Sequence, residues 1–502
     1  MNQQAKSGKK LRKRDPLLKL PDEIICPIIS KLSLKEAVRT SVLSKSWRYI
    51  WASQPNLLFD SANILGNTVS SSSCQTELDW RLQRCMFIER VNCVLHQRCN
   101  RLKIESLTIH YHLGQDSASR IDNWVSYAVT KGVEKLDLDF TEQCSLLVNH
   151  TSTSAFEPYT FHCGLLAAPR KDCSVKHLQL ASCSLISLPI STNLASLVTV
   201  RLLRVNINDQ QLEMFLSTVL CMKSLSLQCC NHLVSFKAAG PRLLLEILNI
   251  KNCFRLESIT IDADNIATLE YTGQSVGFSF ENVPRLAQLF MVFTGTRRHD
   301  GVMYALTRVA YDLPKLQTLN LISIQSCENT SFVYKFCALL SCVILTFIFS
   351  LLQSLNLPEN VPAFASIKQL VLTVFPFNDD DKLRWISYIL KAFPFLQKLQ
   401  LNLLSPSFIK QTTEIYRHLP EFPHRHLHEL EMNGFYGNQN EVELLKYLLE
   451  NAVGLEVLRI NTCQKIYKGF NNWDCEKPSS HFKLSAECAE WLLSAVPATL
   501  SK

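Results

Sequence analysis

Three histidines alternate near the C-terminus in the stretch HRHLH, at His424, His426 and His428. On a β-strand these side chains would share one face, as the ligands of a metal ion can. Leu430 and Met432 continue the same alternation toward a core, and no nearby cysteine or carboxylate completes a ligand set. We therefore interpret the three histidines as solvated or hydrogen-bonded groups and expect no metal site.

Nineteen cysteines are the other potential ligands and nucleophiles of the chain. No Cys-x-x-Cys spacing occurs, so the sequence does not indicate a zinc ribbon or a thioredoxin-type redox motif. A Gly-rich phosphate loop and a His-Glu-x-x-His motif are also absent. We predict a protein that is not an enzyme and that carries no cofactor.

Length and charge restrict the class of protein further. With 502 residues, 47% of them hydrophobic, the chain is too long for one ordinary compact domain and indicates several domains or a repeat array. The formal net charge is +8, of which residues 1–14 contribute +6, leaving about +2 for the rest, so no nucleic-acid partner is expected. The basic tail is either a nuclear address or, as we favour, a solvated disordered segment.

The N-terminus lacks the apolar core of a signal peptide, although Asn149 and Asn329 each begin a glycosylation sequon. We therefore expect reduced thiols and a location in the nucleus, the cytoplasm or both.

A short helix is predicted directly after the basic tail. Its apolar residues Ile24, Ile25, Ile28, Ile29 and Leu32 recur at the spacing that lines one helical face. Such a stripe must be buried against something, because a short helix with an exposed apolar face is not stable alone.

Two more helices are predicted to follow. Ser33 and Glu36 have the spacing of a capping box, which begins the second helix, and Ser44 can cap a third helix that carries Trp47 and Trp51 on one face. Three short helices in so few residues enclose too little apolar surface to stand alone. We predict that another subunit covers them.

These residues resemble the F-box, in which Leu-Pro is followed by spaced isoleucines and leucines and then by a Ser-x-x-Trp helix. The resemblance implies docking on the Skp-type linker subunit of a Skp/cullin/F-box ubiquitin ligase and, through it, on a cullin. Pro27 departs from the pattern, because inside a helix it removes a hydrogen bond at a cost of about 3 kcal/mol unless the helix starts late or bends. The contact residues that the resemblance implies are Leu20, Pro21, Ile24, Ile28, Leu32, Leu34, Val38, Leu43, Trp47 and Trp51.

Beyond residue 100 the sequence repeats a strand of the form apolar-x-apolar, mostly at the interval expected of a solenoid. Four strands continue to a cysteine, at Cys183, Cys230, Cys253 and Cys463, and we interpret these cysteines as packing residues inside a turn. The predicted strands begin at Leu107, Leu136, Leu178, Val200, Leu225, Leu248, Leu269, Leu289, Leu319, Leu370, Leu399, Leu430 and Leu458.

Three helices are predicted to lead into such strands, with Tyr127, Tyr388 and Tyr447 at the equivalent position. Each has one apolar stripe that only the neighbouring repeats can bury. The expected fold is therefore an α/β repeat with a concave, strand-lined surface.

This array resembles the leucine-rich repeats of plant F-box proteins, and its last part resembles the FBD domain that closes many of them. The resemblance implies a three-helix F-box, an irregular solenoid and an FBD-type cap. We accordingly divide the chain into a basic tail (1–14), an F-box (15–60), a leucine-rich-repeat solenoid (100–363), FBD-like repeats (364–470) and a C-terminal tail (471–502).

One interval, from Leu319 to Leu370, is too long for the repeat. It contains an anomalous hydrophobic insert, residues 330–355, with a charge-free run over 336–352 that is at the lower limit for spanning a bilayer. Three interpretations stay open: a membrane anchor, a buried helix inserted in the solenoid, or a translation artefact such as unspliced sequence.

The function predicted from these features is that of a substrate-recognition adaptor. The F-box would bind a Skp-type linker and the repeats would bind a target protein whose identity the sequence does not reveal. The alternative is a leucine-rich-repeat scaffold that works without a ligase, has lost the linker through Pro27, and is anchored to a membrane if 336–352 spans one.

Overall fold

The computed structural model describes much of the chain in two compact units, Met1–Leu197 and Val198–Lys502. All structural statements below concern the residues that it describes. These are 22–29, 32, 34–42, 52, 54–65, 77–98, 103–141, 157–166, 174–186, 194–219, 221–240, 243–294, 304–305, 308–324, 364–374, 384–403, 423–469 and 472–476.

The described part of the first unit contains short N-terminal helices followed by parallel strands. The elements are α1 (Asp22–Ile29), α2 (Leu34–Arg39), β1 (Asn56–Asp60), α3 (Ser61–Ile64), α4 (Glu77–Gln97), β2 (Ser106–His110), α5 (Ala118–Thr130), β3 (Lys135–Asp139), β4 (Thr160–His162), β5 (His177–Ala181) and β6 (Ser184–Ile186). Strands β1, β2, β3 and β5 pair in that order, and β4 pairs with β6.

The described part of the second unit is dominated by a parallel sheet. Its elements are β7 (Thr199–Leu203), α6 (Asp209–Thr218), β8 (Ser224–Gln228), β9 (Ser235–Ala239), β10 (Ile247–Lys251), β11 (Ser258–Asp262), β12 (Thr268–Gly273), β13 (Gly277–Asn282), β14 (Gln288–Thr294), α7 (Val309–Asp312), β15 (Thr318–Ile324), β16 (Gln369–Val374), α8 (Arg384–Ala392), β17 (Lys398–Leu403), β18 (Glu429–Asn433), α9 (Gln439–Asn451), β19 (Val457–Asn461), β20 (Gln464–Gly469) and β21 (Asn472–Glu476).

In the main sheet of the second unit, neighbouring strands run β7-β8-β10-β12-β14-β15-β16-β17-β18-β19. Strands β9, β11 and β13 form a smaller parallel sheet, and β20 and β21 form an antiparallel hairpin. The hairpin and the smaller sheet were not predicted. All predicted repeat strands are present, as are the predicted helices that lead into strands, α5, α8 and α9.

The repeat strands are held in register by a ladder of leucines. Leu248 of β10 lies opposite Leu225 of β8 and Leu269 of β12, and all three are fully buried. Burying one such side chain stabilises the fold by about 1.5–3 kcal/mol. Because a slip of one residue would move every leucine to the opposite face, the ladder fixes the register of the whole sheet.

A left-handed residue ends several repeat strands. Arg204, Cys229 and Asn252 each follow a strand with φ between 52° and 54°. Their N–H groups donate to a carbonyl oxygen near the end of the neighbouring strand in the sheet, over 2.8, 2.8 and 2.6 Å respectively. The left-handed backbone conformation is unfavourable for residues other than glycine. It persists at these positions because each turn gains the same hydrogen bond to the neighbouring strand.

The cysteine that follows this turn points into the core in three of the four predicted cases. Cys183, Cys230 and Cys253 are buried, as the packing interpretation predicts, and the Cys230 Sγ lies 3.6 Å from the carbonyl oxygen of Leu202. Cys463 differs because it forms a disulfide with Cys475 of β21. The prediction of a reduced packing cysteine is therefore wrong at Cys463, where a hairpin and not another repeat strand follows.

The anomalous insert, residues 330–355, lies outside the described residues. Strands β15 and β16 on either side of it pair directly, with Leu319 opposite Leu370. The repeat thus resumes in register after the long interval. Among the described residues, no helix is both long enough and apolar enough to cross a membrane.

Candidate functional site

Helix α1 carries two apolar stripes, of which only one is covered. Ile25 and Ile29 are 1% and 0% exposed, whereas Ile24 and Ile28 are 49% and 46% exposed. Residues four apart lie on the same side of a helix, so each pair forms its own stripe. The chain itself therefore covers Ile25 and Ile29 and leaves Ile24 and Ile28, two of the predicted linker contacts, exposed.

Helix α2 and the turn after it also have both covered and exposed apolar side chains. Ala37 is fully buried, but Val38 is 39% exposed, and Val42, in the 3-10 turn Thr40–Val42 that follows α2, is 88% exposed. The Thr40 hydroxyl donates to the Ala37 carbonyl oxygen at 2.6 Å and closes the end of the helix. We call Ile24, Ile28, Val38 and Val42 the open apolar set.

Two buried polar side chains hold the end of α1 in place. The Gln54 Nε2 donates to the carbonyl oxygen of Ile29 at 2.7 Å, and the Arg98 Nη1 donates to the carbonyl oxygen of Gln54 at 2.6 Å. Burial lowers the pKa of Arg98, while Tyr127 raises it in part. The last carbonyl groups of a helix lack partners within it. These bonds therefore connect α1 to the segment before β1 and to the residue that follows α4.

The structure shows the side chains of only some predicted linker-binding residues. Ile24, Ile28 and Val38 are exposed, and Leu32 is half-buried. Helix α1 begins at Asp22 and continues through Pro27, so it does not start late to avoid the proline. The others fall outside the described residues or, for Leu34, have a side chain that is not described: Leu20, Pro21, Leu34, Leu43, Trp47 and Trp51.

A second candidate surface lies on the strands of the second unit. Between the buried residues Leu248 and Ile250, the side chain of Asn249 points to the other face of the sheet. Residues at this position lie opposite one another from strand to strand. We call them the strand-face row: Ser226, Asn249, Glu270, Phe290, Asn320, Val371, Gln400, Glu431 and Arg459.

Glu270 is the most enclosed acid of this row. Its side chain is 1% exposed and accepts hydrogen bonds from Asn249 Nδ2 and, at 2.5 Å, from the Tyr467 hydroxyl. The Lys251 Nζ lies 3.6 Å from its carboxylate, and burial lowers the pKa of Lys251 while Glu270 opposes that shift. The Tyr467 ring stacks on Phe290, with ring centroids 5.2 Å apart. A residue of strand β20 therefore occupies a pocket built by β10, β12 and β14.

Glu431 makes the second contact between the row and the hairpin. Its carboxylate accepts from Lys465 Nζ at 2.5 Å and from Asn433 Nδ2 at 2.9 Å, and Lys398 Nζ lies 3.6 Å away. Burial alone would raise the pKa of Glu431, but the hydrogen bonds from Lys465 and Asn433 outweigh it and lower the pKa. The hairpin is thus paired with acids on β12 and on β18.

The three histidines lie in the loop before β18 and not on a strand, so they do not share a strand face. His424 is buried, its Nε2 lies 2.8 Å from the Phe393 carbonyl oxygen, and its Nδ1 accepts from the Leu427 N–H at 3.1 Å. Burial lowers the pKa of His424. In the part of the chain that the structure describes, no group of three or more histidine, cysteine or acidic side chains is placed to hold a metal ion.

One short motif has the spacing of a serine hydrolase nucleophile, at Gly273-Gln-Ser-Val-Gly277. In such enzymes the serine sits on a sharp turn from a strand into a helix. Here the motif connects two strands, β12 and β13, and the Tyr271 hydroxyl donates to the Gln274 carbonyl oxygen at 2.5 Å within it. The motif therefore forms a turn of the repeat and not a nucleophile elbow.

Two models of known families match the chain. The F-box domain model matches residues 17–59, which include α1, α2 and the open apolar set. The model described as At1g61320/AtMIF1, LRR domain, matches residues 94–495, most of the chain. The protein therefore belongs to this leucine-rich-repeat family and carries an F-box domain ahead of its repeats.

Similar proteins from Arabidopsis thaliana are named as F-box proteins, and one of the three described next is also named as an LRR-repeat protein. The putative F-box/LRR-repeat protein At1g56400 is 31% identical over 150 residues, which is 30% of this chain and 28% of the relative. The putative F-box protein At3g58860 is 37% identical over 137 residues, 27% of this chain and 28% of the relative. Both alignments thus span little more than a quarter of the relative. The F-box protein At3g62230 is 25% identical over 90% of this chain and 92% of its own length.

Proposed function

We propose that this protein is a non-catalytic substrate-recognition adaptor of a Skp/cullin/F-box ubiquitin ligase, acting in the nucleus or cytoplasm. The open apolar set binds the Skp-type linker, and through it a cullin. The observation that carries the proposal is the contrast within α1, where Ile25 and Ile29 are buried but Ile24 and Ile28 are half-exposed. Exposed apolar side chains grouped on short helices indicate a protein-binding surface.

The four side chains of the open apolar set are too few to form a whole protein–protein interface, but they can be its main anchoring contacts. Fully burying one isoleucine contributes about 1.5–3 kcal/mol, and a few well-buried anchors carry most of the energy of a typical interface. Ile24, Ile28, Val38 and Val42 are available for this role because the chain leaves them uncovered. The predicted contacts outside the described residues would enlarge the same interface.

The repeats supply the target-binding part of the proposal. Their strand-face row carries mainly polar and charged side chains, together with Phe290 and Val371, in register on one face of the second unit. We include the closing repeats, which resemble an FBD domain, in this part. Holding a target beside the ligase raises the effective concentration of its lysines without a catalytic group on this chain.

The test is co-purification of the full chain with a recombinant Skp-type linker. We expect the wild-type chain to retain the linker and Ile28→Glu to lose it, because a charge would be buried without a partner at the interface. Leu244→Glu is the matched control, since Leu244 is exposed to a similar extent in the second unit. Equal retention by both variants, or no retention by the wild-type chain, would contradict the proposal.

A second candidate function is a leucine-rich-repeat scaffold that works without the linker. The observation that favours it is Pro27, which lies within α1 and has no N–H to donate. In that case the wild-type chain fails to bind the linker, whereas Pro27→Arg restores binding. Binding by the wild-type chain excludes this candidate.

A further inference from the structure

The strand-face row of the second unit is covered in part by the chain's own C-terminal hairpin. Strand β20 packs against β17 and reaches β12 through Tyr467 and β18 through Lys465. Tyr467 and Glu270 are 197 residues apart in sequence. Their contact therefore occupies the face that the proposed function assigns to a target.

The pocket around the Tyr467 side chain is chemically specific. The Glu270 carboxylate accepts from the phenol hydroxyl, the Phe290 ring stacks on the phenol ring at an interplanar angle of 10°, and the Lys251 Nζ lies 5.9 Å from the ring centroid. A buried acceptor paired with an aromatic wall selects a tyrosine over a phenylalanine, because a phenylalanine would leave the carboxylate without this donor.

Some buried polar atoms on the strand face lack hydrogen-bond partners. The buried side-chain atoms Asn249 Oδ1, Asn320 Oδ1 and Asn402 Nδ2 have no hydrogen-bond partner among the described residues. Buried polar atoms without partners are unfavourable. The hairpin is thus an imperfect occupant, and a segment that pairs these atoms as well would bind more favourably.

We propose that this pocket of Asn249, Lys251, Glu270 and Phe290 is the anchoring subsite for a tyrosine of the target protein, and that Tyr467 is its resident occupant, which the target displaces. This proposal depends on the proposed adaptor function. On strand β20, Lys465 and Tyr467 alternate and so share one side of the strand. The partner is therefore an extended segment of a protein with the pattern Lys-x-Tyr.

The experiment is selection of a displayed library of random peptides on the full-length chain with Tyr467→Ala, which vacates the pocket. We expect the selected peptides to be enriched about tenfold in tyrosine over the unselected library, since a hydrogen bond to a charged acceptor is worth about that factor. The enrichment should fall when Glu270→Gln is added, because glutamine offers only a neutral acceptor. The wild-type chain and the control Tyr311→Ala, at an exposed tyrosine of the same unit, should show little enrichment.

Selected peptides without tyrosine enrichment, or an enrichment that Glu270→Gln does not change, would overturn the inference. Linker binding is measured on the same variants. Retained linker binding without tyrosine selection defeats this inference alone, whereas tyrosine selection without linker binding defeats only the ligase part of the proposed function.

A second measurement uses the unmutated chain, so the inference stays testable if Tyr467→Ala does not fold. A synthetic peptide of residues 464–476 is added in excess, and hydrogen exchange of the resident β20 and β21 amides is followed. We expect faster exchange with this peptide than with the same peptide carrying Tyr467→Phe. Unchanged exchange, or an equal effect of the two peptides, would contradict displacement.

Discussion

The F-box helices and the repeat strands, the two proposed binding surfaces, differ in what covers them. Helices α1 and α2 leave Ile24, Ile28, Val38 and Val42 exposed, so their apolar surface is open before any partner binds. The strand-face row instead carries polar side chains such as Glu270 that the chain's own hairpin covers. In the proposed adaptor, the linker would thus meet a surface that is already open, whereas a target would compete with the hairpin for the strand-face row.

Physical chemistry explains why the two surfaces differ. A few exposed apolar side chains are tolerated on a folded protein, because single apolar groups on the surface are common. A buried carboxylate such as Glu270 needs a donor, and here Tyr467 supplies one. Exposed apolar side chains can therefore remain uncovered until a partner binds, whereas a buried carboxylate needs a hydrogen-bond donor beside it.

The largest expected effect is at the junction between the sheet and the hairpin. Gly434 has φ of 72°, and an added Cβ would overlap the Leu403 carbonyl oxygen. We expect Gly434→Ala to lower the free energy of unfolding by about 3 kcal/mol. Denaturant titration measures this against the control Gly277→Ala, where the nearest atom to an added Cβ is 3.6 Å away. Equal stability of the two variants would show that the turn does not need a glycine.

The next effect tests the two stripes of α1. Ile29→Ala should destabilise the first unit by about 2–3 kcal/mol, because it removes a buried side chain. Ile28→Ala should change stability by less than about 0.5 kcal/mol, because that side chain is half-exposed. Thermal unfolding of both variants measures the difference, and similar losses of stability would mean that the chain covers both stripes.

A smaller effect concerns the strand face of the first unit. His110 Nε2 lies 3.3 Å from Asp137 Oδ2, and this contact raises the pKa of His110 although burial opposes it. The protonated form is therefore favoured in the folded state. Its stabilisation is complete below the unfolded pKa, about 6.5, and is lost as pH rises through the folded value.

Because the His110 side chain is partly exposed, we expect this loss to be below about 1 kcal/mol. It is measured as the free energy of unfolding between about pH 6 and pH 9. His110→Gln and Asp137→Asn should each remove the loss. A wild-type pH profile that coincides with those of the variants would exclude the contact as its cause.

The smallest expected effect is that of deleting residues 330–355. Strands β15 and β16 pair directly, with Leu319 opposite Leu370, so the deletion should leave the repeat register intact. We expect the unfolding midpoint to shift by no more than about 2 °C. A chain that no longer unfolds cooperatively would show instead that the insert contributes to the packing of the repeats.

The sequence predicts the repeat strands well because their periodicity is local. Each leucine of the ladder is marked by its own apolar-x-apolar pattern, and the pattern survives even across the long interval between Leu319 and Leu370. Within α1, by contrast, four isoleucines offer two equivalent stripes. Which stripe is covered depends on contacts with segments distant in sequence, such as Gln54, which binds the Ile29 carbonyl oxygen and is itself held by Arg98.

The contact between the hairpin and the strand-face row could not be predicted either, because it also joins segments that are distant in sequence. Tyr467 and Glu270 are far apart in sequence, and no local pattern connects them. Cys463 ends the same motif as Cys253, but only the structure shows that a hairpin with Cys475 follows it. Val42 is another residue that the sequence did not single out, although a valine four positions after Val38 continues an apolar stripe.

The most direct test of the docking claim is hydrogen exchange of the full chain with and without a recombinant Skp-type linker. We expect the linker to slow amide exchange over residues 22–42, where the open apolar set lies, and to leave the repeat strands of the second unit unchanged. Protection that appears only in those strands, or no protection at all at saturating linker, would contradict the claim that this set is the docking surface.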